Sequence, residues 1–169
     1  ALVAIIFVGS YLRFREAFFT GMWVDEGRHA RIGYELADHL LQYSTSWLGE
    51  VTKFPPVYTY LLGISSAVMG KTEFAVRAVS TLIGSIGIAV SYLLGRELWD
   101  RDTGILVAAF VAVNPLFWFL STRILVGATL TVIYTATLVA LYVGMSDRED
   151  YWIGLYLLGP LTAISVMTK

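Results

Sequence analysis

Residues 78–95 read AVSTLIGSIGIAVSYLLG, a run without a single charged side chain. At about 1.5 Å of rise per residue it approaches the roughly 20 residues a helix needs to cross the hydrocarbon core. Gly84, Ser85, Gly87, Ala89 and Ser91 are small. In lipid, such side chains let helix backbones come close, and van der Waals contact replaces a hydrophobic drive. Similar runs lie near 104–121, 124–145 and 151–168. A fifth, near 1–19, is interrupted towards its end by Arg13, Arg15 and Glu16. Arginines close to a helix end reach the interface by snorkelling, so this run still reads as a span. The stretch 56–70, PVYTYLLGISSAVMG, is too short to cross and fits a juxtamembrane or re-entrant helix.

The whole composition agrees: 57% of the 169 residues are hydrophobic and 15% charged, with a mean hydropathy of +0.68. The expected fold is all-α, a polytopic transmembrane helix bundle with an extracytoplasmic loop that carries an amphipathic juxtamembrane helix. A net charge of -1 gives no general attraction to nucleic acid. Without cysteine there is no disulfide framework or thiolate metal site. The opening ALVAIIFVGS has no initiator methionine or basic n-region, so residues 1–169 read as a piece of a longer polytopic protein, not as a signal peptide and its domain. Pro115 and Pro160 predict kinks within their spans. Trp47, Trp99, Trp118 and Trp152 fall near predicted span ends, as in an aromatic belt.

Arginines in RELWDRDT (96–103) and SDRED (146–150) fall on one side if the later spans alternate. The positive-inside rule makes that side cytoplasmic and the loop 20–55 extracytoplasmic. A loop of this length is usually functional. It opens with GMWVDEGRHARIGYE (21–35), dense in charge for so apolar a chain. Asp25 is a natural N-cap, and Glu26 to Ser44 can run as an amphipathic surface helix with Ile32, Leu36 and Leu40 on one stripe. At helical spacing Asp25, Arg28, His29 and Ile32 share a face. The plainer reading of that face is a capping Asp25 and a solvated Arg28. Lys53 precedes FPPVYTYLLG, whose paired prolines set the entry of the short helix. Glu73 and Arg77 head the next span, and Arg123 sits in a short turn. On this topology all of these groups face one aqueous side and are expected to share a cavity. With His29 and His39 the only histidines, a tetrahedral zinc site would have to borrow carboxylates. His39 reads as a surface helix residue.

In order and spacing, MWVDEGRHARIGYELADH, KFPPVYTYLLG, EFAVRAVSTLIGSIGIAVSYLLGRELWDRDTGILVAAFVAVNPLFWFLSTRIL and LTAISVMTK resemble the N-terminal part of the GT-C class of polyprenyl-phosphate-sugar-dependent glycosyltransferases. The group in view is that of the protein O-mannosyltransferases and lipid A aminoarabinose transferases. The resemblance covers essentially all of residues 1–169, as the N-terminal part of a GT-C transmembrane domain. It implies that Asp25, with Glu26 as partner, contacts the acceptor or a divalent metal and serves as catalytic base. It further implies that Arg28, His29, Lys53, Arg77 and Arg123 bind donor phosphate or acceptor. Two departures stand out. Val126 to Thr129 occupies the place where relatives carry an acidic residue after the matching arginine, and Phe54 stands where many have histidine.

The chemistry implied is transfer of a hexosyl or pentosyl group from a polyprenyl-phosphate-linked sugar to a protein, lipid or glycan acceptor on the extracytoplasmic side of the cell membrane. The alternatives are a polytopic transporter fragment and a non-catalytic lipid-binding membrane subunit. Against an ion path, none of the four later spans carries a charge at its middle.

Overall fold

The run 78–95 lies inside a longer helix, Glu73–Leu98, because both ends are closed by hydrogen bonds. The Thr72 hydroxyl accepts from the Ala75 amide at 3.2 Å, and the Trp99 amide donates to the Gly95 carbonyl at 3.2 Å. The computed structural model describes residues 1–19, 21–22, 24–41, 55–146 and 151–168. The expected roles of Trp47, Lys53, Phe54, the end of the loop helix through Ser44, and most of the 146–150 connection lie outside the described residues. In chain order the described helices are α1 (Leu2–Phe19), α2 (Val24–Leu41), α3 (Pro56–Met69), α4 (Glu73–Leu98), α5 (Arg101–Val113), α6 (Pro115–Thr122), α7 (Val126–Gly144) and α8 (Tyr151–Met167). There is no strand among the described residues.

The fold is an all-α membrane bundle built around α4, which packs against α1, α3, α5, α6 and α7. By length and composition α4 and α7 suit a membrane crossing, and α5 with α6 makes a third as a pair bent by 61°. The small residues of α4 do the work expected of them. A Cβ on Gly84 would overlap Ser121, and one on Gly87 would come within 2.7 Å of Phe117 and Val132. Beside it α2 packs on α3, with Leu62 seated on Gly33 and Leu36 on Gly63, and Ala30, Tyr58 and Leu62 of this pair join Val76, Val79 and Ile124 in one apolar cluster.

Pro115 does more than kink the span near 104–121. The chain passes through Asn114, whose side chain caps α6 by accepting from the Phe117 amide at 2.9 Å. Proline has no N–H to offer the Val111 carbonyl four residues back, and an unpaired carbonyl in a bilayer is costly. Arg13 supplies the missing donors. Its Nη2 donates to the Val111 carbonyl (3.2 Å) and its Nη1 to those of Ala112 (3.0 Å) and Gly9 (3.1 Å). The expectation that Arg13 snorkels to the interface is therefore corrected: it is fully buried and points into the bundle. Pro160, by contrast, lies inside α8, which continues through it.

The contact of α7 with α8 depends on backbone approaching backbone. A Cβ on Gly154 would overlap the Gly144 amide and the Ala140 carbonyl, neither of which can move without its helix. Gly154→Ala is expected to force the two helices apart and to lower stability by about 1–3 kcal/mol. Denaturant or thermal unfolding in detergent micelles would measure the loss.

Candidate functional site

The first turn of α2 carries two adjacent carboxylates that the fold treats oppositely: Asp25 is exposed and Glu26 is buried. The inward stripe of α2 is Glu26, Ala30, Gly33, Leu36 and Ala37, following the helical period. This corrects the expected stripe of Ile32, Leu36 and Leu40, of which only Leu36 is fully buried. The helix also begins at Val24, so Asp25 stands within its first turn instead of capping it.

Among the described residues, four N–H groups donate to Glu26. Its Oε1 accepts from the Ile124 amide at 2.9 Å and from Arg77 Nε at 3.4 Å. Its Oε2 accepts from Arg77 Nη2 at 3.2 Å and Arg123 Nη1 at 3.3 Å. The Glu26 and Arg77 side chains are each 1% exposed and that of Arg123 is 11% exposed. Three separate parts of the chain are tied here: the start of α2, the head of α4 and the turn between α6 and α7. Arg77 adds the end of α1 by donating to the Ala17 carbonyl at 3.3 Å, and Arg123 adds the α1–α2 connection through the Gly21 carbonyl at 2.9 Å. The Arg123 guanidinium also lies 5.7 Å from the centre of the Phe119 ring.

Around this anchor the remaining candidates spread outward. Arg28 is exposed, and His29 is half-buried with its ring edge-on to Tyr58 at 6.1 Å. Burial first, and the Arg28 guanidinium second, hold the His29 imidazole below its ordinary range, with Asp25 opposing them. The Tyr58 hydroxyl shares a hydrogen bond with Ser80 at 2.7 Å. Burial, then the Glu73 carboxylate, push the Tyr34 phenol up, with Arg77 pulling the other way. Neither Tyr34 on the amphipathic α2 nor Tyr58 on the apolar α3 is marked by the sequence, because a tyrosine carries no positional signal until its neighbours are known. The role of Arg13 is unmarked for the same reason.

The structure thus joins Glu26, Arg77 and Arg123, places Asp25, Arg28 and His29 beside them on α2, and leaves Lys53 outside the described residues. The fit to a divalent metal is poor. Among the described residues no three His, Cys, Asp or Glu side chains converge to hold an ion, and the Glu26 oxygens already face arginine and amide donors. No step below is routed through a metal.

An all-α bundle with apolar helices able to span a membrane defines the class as a multi-pass membrane protein. Within that class, residues 53–169 match the family model of the dolichyl-phosphate-mannose-protein mannosyltransferases, and the chain belongs to this family. It is also similar to an undecaprenyl phosphate-alpha-4-amino-4-deoxy-L-arabinose arabinosyl transferase from Pseudomonas fluorescens, with 31% identity over 93 residues. That stretch is 54% of this chain but only 17% of the relative, so the chain spans a small part of the curated protein it matches. No solved structure matches.

Two measurements probe the cluster. Glu26→Ala removes the buried carboxylate that Arg77 faces and is expected to cost about 3–5 kcal/mol of stability, read from unfolding in detergent. The His29 imidazole should titrate in the folded protein below its ordinary value of about 6.5, as followed by NMR. At pH 7 it is mostly neutral in both states. As the pH falls through that ordinary value the unfolded chain takes the proton first, so acidification removes stability until the folded imidazole titrates too.

Proposed function

We propose that the protein is a membrane glycosyltransferase that moves a sugar from a polyprenyl-phosphate donor to an acceptor on the extracytoplasmic side, at the bundle end where Glu26, Arg77 and Arg123 meet. The observation that carries this reading is the convergence of those three residues beside Asp25 and His29 in a member of this family. We place α1 and α8 as further spans, which puts the start of α2, the head of α4 and the α6–α7 turn on one aqueous side. The polyprenyl tail stays in the bilayer while the sugar phosphate meets the charged end.

Glu26 is a poor base in this arrangement, since its oxygens are engaged by four N–H donors. Asp25 is the exposed carboxylate next to it and takes the proton. An acceptor hydroxyl attacks the anomeric carbon, the bond from that carbon to the phosphate oxygen breaks, and the phosphate leaves with the electron pair. The acceptor proton passes to Asp25. A single displacement of this kind inverts the anomeric centre and needs only one carboxylate at the acceptor. Arg28, Arg123 and Lys53 stabilise charge as it builds on the phosphate, at about 3 kcal/mol for each well-placed donor. Neutral His29 contributes a hydrogen bond at the same edge. The sugar is hexosyl or pentosyl, and the acceptor is a protein, lipid or glycan.

A transporter would share the broken span, and a cavity of about 360 Å³ does open there, reached by Asn114, Ser91 and Thr135. Arg13, the charge nearest that break, directs its donors to backbone carbonyls and Ser121, which favours a structural break over an ion path.

In the full-length protein reconstituted into proteoliposomes, Asp25→Asn is expected to cut transfer from a radiolabelled polyprenyl-phosphate sugar by about 100-fold or more while the protein remains folded. Parental activity in that variant would remove Asp25 from the mechanism, and uptake of the label into the lumen would favour transport.

A further inference from the structure

Arg13 is bonded to both halves of the broken span. On α5 it donates to the carbonyls of Val111 and Ala112. On α6 its Nε donates to the Ser121 hydroxyl at 2.9 Å, and its guanidinium lies 5.5 Å from the ring centres of both Phe117 and Trp118. Proline at 115 removes the backbone hydrogen bond that would otherwise carry the helix from α5 into α6. The 61° angle at the break is then left to the extended Asn114, which caps α6, and to tertiary contacts. Ser121 closely precedes Arg123 and Ile124, and it is itself wedged against Gly84 of α4. Whatever fixes Ser121 fixes the turn that follows. That turn brings the Arg123 guanidinium and the Ile124 amide to Glu26.

We propose that Arg13 is a positioning residue for the transfer site: by clamping α5 to α6 it holds Arg123 and the Ile124 amide against Glu26. The inference rests on the reading of that end of the bundle as the site of sugar transfer. Arg13 has no part in the chemistry itself. It is fully buried, and it works through the helix that ends in the Arg123 turn.

The test uses the full-length protein in nanodiscs, with cysteines elsewhere in it replaced; residues 1–169 contain none. Nitroxide labels are placed at Arg31→Cys on α2 and Leu116→Cys on α6, positions 79% exposed in the side chain and 67% exposed respectively. Their separation is read by double electron–electron resonance, alongside donor KM and kcat. Arg13→Gln should shift and broaden the distance distribution, raise donor KM and lower kcat/KM roughly 10- to 100-fold. Ser121→Ala keeps the Cβ that packs on Gly84 and should move the same quantities the same way by less.

A purely structural role would reduce the amount of folded protein and so the maximal rate, leaving donor KM and the label distance of the folded fraction at parental values. That result overturns the proposal, as does a changed distance with unchanged KM and kcat. If Arg13→Gln does not fold, parental distance and KM in Ser121→Ala overturn it equally. If the unmodified protein transfers no sugar, the transferase reading fails, and the distance measurement alone decides whether Arg13 sets the angle.

Discussion

The carboxylate of Glu26 is the constraint on which this end of the bundle depends. Burying a carboxylate is costly unless its oxygens are fully paired. Here the pairing is supplied from the head of α4 and from the turn after α6. Each donor therefore has to be in place for the others to be worth burying. Arg77, 1% exposed, faces the equally buried Glu26, and without that carboxylate the Ile124 amide would lose the acceptor it has in this turn. A surface ion pair between the same residue types would contribute little. This one decides where four chain segments end.

A second buried charge deals with a different difficulty. Within a bilayer every backbone carbonyl must be satisfied by protein, and Pro115 deprives Val111 of its partner. Placing Arg13 at the break converts that defect into a joint, since one planar guanidinium can serve carbonyls on α5 and the hydroxyl and rings of α6 together. The two arrangements are mechanically in series. Arg13 acts on α6, α6 ends in the Arg123 turn, and that turn closes on Glu26.

Much of this fold was legible in the sequence because bilayer length and apolar composition are strong constraints. The run 78–95, the shortness of 56–70 and the amphipathic character of the stretch after Trp23 all follow from counting. The class of protein was legible in the order of motifs around those runs. What periodicity left open was the direction of individual charges. Asp25 and Glu26 are neighbours of like chemistry, and a rotation of α2 by a single residue exchanges which of them is buried. The choice is made by Gly33 and Gly63, which let α2 settle on α3 through Leu62 and Leu36. Arg13 was hidden for a related reason: its partners are carbonyls freed by a proline about a hundred residues away, and no local pattern connects them.

The split between Glu26 and Asp25 also bears on the missing acidic residue after Arg123. In this chain that stretch begins α7, and Ala128 and Thr129 are buried in it, so a carboxylate there would have to be paired as Glu26 is. With Glu26 set against Arg77 and Arg123, the cluster retains one net positive charge before the exposed Glu73 is considered, and the low-dielectric surroundings screen it weakly. Glu73, exposed and 3.9 Å from Arg77, offsets that charge from the solvent side, where water screens it more than it would screen a second buried acid at the turn. A single exposed carboxylate at Asp25, outside the arginine network but next to it, is then the economical arrangement. Asp25 is exposed while Glu26, Arg77 and Arg123 are turned inward, so on the proposed reading the proton acceptor stays outside the buried ion pairs.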